Sequence, residues 1–363
     1  MNKLMTAVML MGTAALAACG GGGGGGTATN TSTNETVNCT ANALSYTVTC
    51  GDTEISVTDI AGMTDNGDGT YTVQYMGATW IVRPTSYDST VVADIITAHQ
   101  NGITGQGAVI TTFDFFEETS GHGEHVKSII DAIAPDADTP YYDITGSYTE
   151  IFNNLNHDIL NYTGNQSTDV YNFSLGSYLS DADYHGTFAT TEVLHNSAIV
   201  SSGAIINSAA VFVVSAGNDA QGDQEGSNGI HKDCSDWSKC NFLASVIANT
   251  VLDDQLIVVG ALDATGENLA TYSTQAGILQ DHYIVTAVVP TQDGGLGTSY
   301  AAPVVSGVAG LIESNMAGNQ HGSVIVNRIL STTDDLGAVG TDAVFGRGRL
   351  NVGRALSPVG GLQ

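Results

Sequence analysis

Four short runs do most to limit what this chain can fold into: AVITTF at 108–113, DVYNF at 169–173, VFVVS at 211–215 and LIVVG at 256–260. Each is mostly apolar or β-branched on consecutive positions, and each is too short for an ordinary helix. A strand buried on both faces needs that pattern, because neither side of its pleat meets water. Segments with helical spacing lie between several of the runs, notably at 125–133, 149–161 and 191–208. Buried strands alternating with helices predict an α/β domain, a mostly parallel sheet with helices on both faces, over residues 87–357. Residues 37–84 obey another rule. LSYTVT, EISVT and TYTVQY alternate with period two between Gly, Asp and Asn turns, which predicts a small antiparallel β module within 37–86. TDNGDGT at 64–70 reads as a hairpin turn; the alternative, a calcium loop, lacks the ligand spacing and distal Glu such a loop needs.

The N-terminus and the charge bound the setting. Lys3 precedes LMTAVMLMGTAALAA at 4–18, apolar and then small, which is an export signal. Leu16-Ala17-Ala18-Cys19 resembles the lipobox of bacterial lipoproteins. That resemblance implies cleavage before Cys19, a lipid on its thiol and, with Gly20 rather than Asp next, outer-membrane delivery facing the periplasm or the cell surface. GGGGGGG at 20–26 and TATNTSTNET at 27–36 make a flexible polar tether, and 358–363 a short tail. With Cys19 set aside, the five cysteines leave two pairs close in sequence, Cys39–Cys50 and Cys234–Cys240, as disulfides that an oxidising compartment allows. A zinc site is the alternative, but no close Cys/His quartet appears. Nine Lys and Arg against 37 Asp and Glu give a net charge of −28. That excludes nucleic acid as a partner, since such binding is driven by cationic side chains neutralising phosphates. No stretch after the N-terminus is apolar enough to span a bilayer, so membrane contact is expected through the N-terminal lipid.

Candidate chemistry lies in separated places. GTSYAAP at 297–303, followed by VVSGVAGLIESNM, puts Ser299 where a tight turn enters a helix. Backbone N–H groups there can help bind an oxyanion. A serine before a helix is more often only an N-cap, and as a nucleophile it needs a base and a carboxylate to orient that base. HGEHV at 122–126 offers the base, and GQGAVITTFD at 105–114 ends in an aspartate. The paired histidines His122 and His125 fit neither helical zinc motif, so no metal is expected there.

Taken with VVSAGND at 213–219, YNFSLGS at 171–177 and DAVFGRGRLNVGRAL at 342–356, these motifs resemble those of the subtilisin-like serine proteases, the subtilases, in order from about residue 95 to 357. The resemblance implies a serine endopeptidase acting on proteins or peptides. Ser299 would be the nucleophile, His122 the general base and Asp114 its orienting acid, with Asn218 as the side-chain oxyanion donor. Ser174, Leu175, Gly176, Ser215, Ala216 and Gly217 would pair with extended substrate, and His125 would be a packed histidine. No cofactor is required; structural calcium, frequent in the family, cannot be placed on particular residues. A monomer is expected. NLATYSTQAG at 268–277 adds a likeness to the catalytic domains of autotransporter subtilases, which continue into a β-barrel where this chain would rely on its lipid.

The chain departs from the family pattern around Asp114. Phe115-Phe116 stand where a small residue and Gly are expected, and Glu124 replaces a small hydroxyl residue. Only seven residues separate Asp114 from His122. Eight steps of extended chain reach roughly 26 Å, so distance permits the contact. Glu117 and Glu118 are alternative acids. A catalytically impaired surface protein acting in binding or adhesion is the alternative function. The 37–86 module sits where subtilases often carry a folding propeptide, yet shows none of its helices.

Overall fold

The computed structural model describes residues 36–42, 47–50, 53–56, 60–66, 70–75, 78–84, 87–116, 121–144, 168–175, 209–218, 233–237, 239–248, 253–263, 265–288, 296–316 and 322–357. The export signal, Cys19, the tether, Gly176, Glu117, Glu118 and the helices expected at 149–161 and 191–208 lie outside the described residues.

Six strands form the N-terminal module: β1 (Thr36–Asn42), β2 (Thr47–Cys50), β3 (Thr53–Ser56), β4 (Ile60–Asp65), β5 (Tyr71–Tyr75) and β6 (Ala78–Pro84). Their order is β3-β2-β1-β6-β5-β4. Each arm is antiparallel, as the period-two pattern predicts, but the arms meet through a parallel β1–β6 pair, so the sheet is mixed. β4 and β5 pair as an antiparallel hairpin, with Asp65 opposite Tyr71 and the Asn66 N–H donating to the Thr70 carbonyl; residues 67–69 of the expected turn lie outside the described residues. Met63, Tyr71, Val73 and Val82 point inward, and Cys39–Cys50 joins β1 to β2. Helix α1 (Tyr87–Gln100) closes this core with Val92, Ala93 and Ile96, while its Val91, Ile95 and Ala98 enter the larger core.

The main sheet contains β7 (Ile110–Asp114), β8 (Tyr141–Asp143), β9 (Val170–Phe173), β10 (Val211–Ser215), β11 (Leu256–Ala261) and β12 (Tyr283–Thr286). All its pairs are parallel, in the order β12-β11-β10-β9-β7-β8. Every residue of β9 to β12 is buried, as their mostly apolar consecutive positions predict. Around the sheet lie α2 (His122–Ile133), α3 (Phe242–Ala248), α4 (Ala302–Asn315), α5 (Gly322–Ser331) and α6 (Val352–Leu356). Phe113 anchors the centre, stacked on Tyr142 at 4.9 Å and Phe173 at 5.1 Å.

The strand order determines where a ligand can sit. From β7 the chain goes outward to β8 and then returns to β9 on the other side, so connections diverge at the carboxyl ends of β7 and β9. Such a switch point leaves a crevice that open α/β sheets use for binding. Asp114 and Ser174 lie at those strand ends.

Candidate active site

Asp114 ends β7 and has no exposed surface. Its Oδ1 accepts from His122 Nδ1 at 2.6 Å and from the Phe115 N–H at 2.7 Å. The short loop can close this contact because His122 is the first residue of α2, and α2 folds back directly onto the strand exit. The Gly123 N–H donates to the Phe115 carbonyl at 3.0 Å. A Cβ on Gly123 would lie 2.9 Å from that carbonyl oxygen and from the Phe116 ring, so only glycine allows the approach. Phe115 and Phe116 are therefore part of the support. Phe116 stacks on Tyr141 at 4.1 Å, and its N–H donates to Asp143 Oδ1 at 2.8 Å. Glu124 faces solvent in the first turn of α2, where a negative charge suits the helix dipole.

Burial pushes the Asp114 carboxyl up from its ordinary range, and the hydrogen bond and charge of His122 pull it back in part. On His122, burial acts downward, but the hydrogen bond and charge of Asp114 outweigh it, and the imidazole is held above its ordinary value. The direction that governs chemistry is that of His122: Asp114 makes the ring a stronger base and fixes the proton on Nδ1, leaving Nε2 to accept. Asp114 Oδ2 is buried without a hydrogen-bond partner among the described residues.

Ser299 lies in a 3₁₀ turn, Thr298–Tyr300, that runs into α4. The next residue, Tyr300, holds its ring 5.4 Å from that of His122, which brings the serine turn against the start of α2. Ser299 makes no hydrogen bond to His122 among the described residues, and such contacts commonly tighten only when substrate binds.

Asn218 follows β10. Its Oδ1 accepts from the Thr298 N–H at 2.9 Å and from Thr298 Oγ1 at 3.1 Å. Those two donors identify the carboxamide oxygen and leave Nδ2 as a donor beside the serine turn. A Cβ on Gly297 would lie 3.1 Å from Asn218 Nδ2, so glycine here lets the carboxamide sit close against the serine turn without displacement. Thr298 Oγ1 also accepts from the Gly217 N–H at 3.0 Å, so the segments carrying Ser299 and Asn218 are laced together.

Ser174 and Leu175 leave β9, while Ser215 ends the neighbouring β10 and Ala216 and Gly217 leave it; all five are buried. Sequence reasoning missed the residue that ties these two segments together. Asn241 is 1% exposed, and its Nδ2 donates to the carbonyls of Leu175 and Ser215, each at 2.8 Å. Its signal was present: an asparagine directly before the apolar run FLASVIA reads as a helix cap. Asn241 Oδ1 does accept the Leu243 N–H at 3.0 Å. The Cys234–Cys240 disulfide ends one residue before it. His125 is half-buried, with Nδ1 unpartnered among the described residues. Among the described residues, no group of three or more His, Cys, Asp or Glu side chains is placed to hold a metal ion.

A family model described as the Subtilase family, peptidase S8, matches residues 89–348. Among solved structures, the chain resembles a lanthipeptide protease with a TM-score of 0.52 at 17% identity, covering 74% of this chain and 93% of that one. It also resembles a protease of Pseudoalteromonas arctica, with a TM-score of 0.47 at 17% identity, covering 71% of this chain and 92% of that one. No curated protein sequence matches.

Proposed function

Because the chain belongs to the subtilase family of serine proteases, we propose that it is an endopeptidase whose Ser299, His122 and Asp114 act as one catalytic unit. The observation that carries this is the His122–Asp114 hydrogen bond of 2.6 Å at the mouth of the switch-point crevice, with the Ser299 turn packed against the same ring. His122 Nε2 takes the Ser299 proton as Oγ attacks a peptide carbonyl. Asn218 Nδ2 donates to the oxyanion that forms. The imidazolium, steadied by Asp114, then protonates the leaving amine. Water enters, and the same base activates it to hydrolyse the acyl-enzyme. Substrate lies extended between the segments after β9 and β10 and hydrogen-bonds to their backbones as an added strand.

The reading of a catalytically impaired binding protein rests on the unusual surroundings of Asp114 and His122. The Phe115 N–H bond to Asp114 Oδ1 and the stack of Phe116 on Tyr141 favour the active reading over that one. The proposal places the enzyme outside the cytoplasm, held to the outer membrane by a lipid on Cys19; the export signal and two disulfides support that setting. A fluorophosphonate probe should label wild-type protein at Ser299, and a Ser299→Ala control should neither label nor digest denatured protein. Folded wild-type protein that takes no label would end the proposal.

A further inference from the structure

The last paired residues of β9 and β10 are Phe173 and Val214. Past them the two chains no longer satisfy each other, and the carbonyls of Leu175 and Ser215 face the gap. Asn241 fills it with a group that matches both, since one carboxamide NH2 carries two donors. Each donates at 2.8 Å, while Oδ1 caps α3. Ser215 Oγ supplements the join, donating to the Leu175 carbonyl at 3.2 Å. The mount of Asn241 is itself fixed. The disulfide closes residues 234–240 into a ring, and the Cys234 carbonyl accepts the Ile278 N–H at 3.0 Å.

We propose that Asn241 is a positioning residue that sets the spacing between the 174–175 and 215–217 segments, and with it the side chain accepted next to the scissile bond. This rests on the protease reading above, in which those segments flank the substrate. Asn241 touches no reacting atom. It acts through two backbone carbonyls whose direction fixes where the substrate-pairing groups on the other side of each strand point. A displacement of about an ångström in such groups is enough to cost roughly 10²-fold in rate.

The test compares wild type with Asn241→Ser and Asn241→Asp in the full chain, on two kinds of substrate. One is a panel of tetrapeptide anilides differing only in the residue before the scissile bond; the other is a small acetate ester, with fluorophosphonate labelling beside it. Serine still caps α3, but its single O–H can serve only one carbonyl. Asn241→Ser should lose about 10²-fold in kcat/KM on the peptides, mostly through KM, and its ranking of the panel should flatten. Ester turnover and labelling should stay within about threefold of wild type, since they need only the reacting groups. Asn241→Asp keeps the shape but turns an acceptor toward two carbonyls, so its peptide loss should be larger. A Ser variant with wild-type rates and ranking overturns the inference, as does one in which peptide and ester rates fall together. A wild type that neither labels nor cleaves overturns the protease reading instead, and this inference with it.

Discussion

The two sheets of this protein obey opposite rules, and the contrast separates what holds the molecule together from what lets it act. The parallel sheet is buried through β7 and β9 to β12 and holds its chemically interesting residues at or just past the strand ends, at Asp114, Ser174 and Asn218. The mixed sheet packs one face on α1 and carries none of the candidate residues. Its ties are covalent and polar: Cys39–Cys50, and Tyr71 Oη donating at 2.5 Å to Asp94 Oδ1, whose Oδ2 accepts from the Gly353 N–H at 3.0 Å. Asp94 therefore links the module to the final helix. Changes past the main strand ends should alter turnover and spare stability, and changes in the module should do the reverse.

Ser299→Ala is the severest test. Peptide hydrolysis should fall about 10⁶-fold with the unfolding midpoint in urea unchanged. Asp114→Asn should lower kcat about 10⁴-fold, because the imidazole loses its oriented proton. The pH profile then adds a sign. The proposed mechanism needs neutral His122, and Asp114 holds that ring above its ordinary value, so the acidic limb of kcat/KM in wild type should lie above the usual imidazole range. In Asp114→Asn only burial remains, which favours the neutral ring, and the limb should move to lower pH. A limb that stays in place would detach His122 from Asp114. In the module, Cys39→Ser with Cys50→Ser should cost about 3 kcal/mol in urea unfolding, since the bond closes a short loop of the unfolded chain. Tyr71→Phe should cost about 1–3 kcal/mol, because a buried carboxylate loses one of its donors. Both module variants should cleave peptides at the wild-type rate at 25 °C. A drop in turnover from Tyr71→Phe would erase the distinction between the sheets.

How far the sequence could be read follows from the same contrast. The four buried strands were legible because burial on both faces keeps apolar and β-branched residues on consecutive positions, with few polar ones such as Asn172 to blur the run. The module strands were legible because burial on one face leaves alternation. Helix α1 was not singled out, since it feeds two cores at once, with Val91 and Ile95 facing one and Val92 and Ile96 the other, so no polar stripe marks it. Helix α2 begins at His122 rather than residue 125, because Gly121 precedes it without any capping side chain. The parallel join of β1 to β6 depends on a pairing between distant strands that no local pattern records. At the site, Asp114, His122, Ser299 and Asn218 were each marked by motif. Asn241 was not, because its partners are backbone carbonyls, and carbonyls look alike in every sequence.

That parallel join has a mechanical meaning. The chain enters the module at the start of β1 and leaves at the end of β6, and the two strands pair from Thr36 opposite Ile81 to Cys39 opposite Pro84. A pull on residue 36 against the catalytic body slides one strand along the other, so the rungs bear tension together instead of unzipping in turn. Stretching single molecules between residues 36 and 100 should therefore meet a resistant first step; smooth low-force unravelling would rule the idea out. For an enzyme leashed by its N-terminus, as proposed here, the module would serve as a strain relief that takes up a tug before the cleft can feel it.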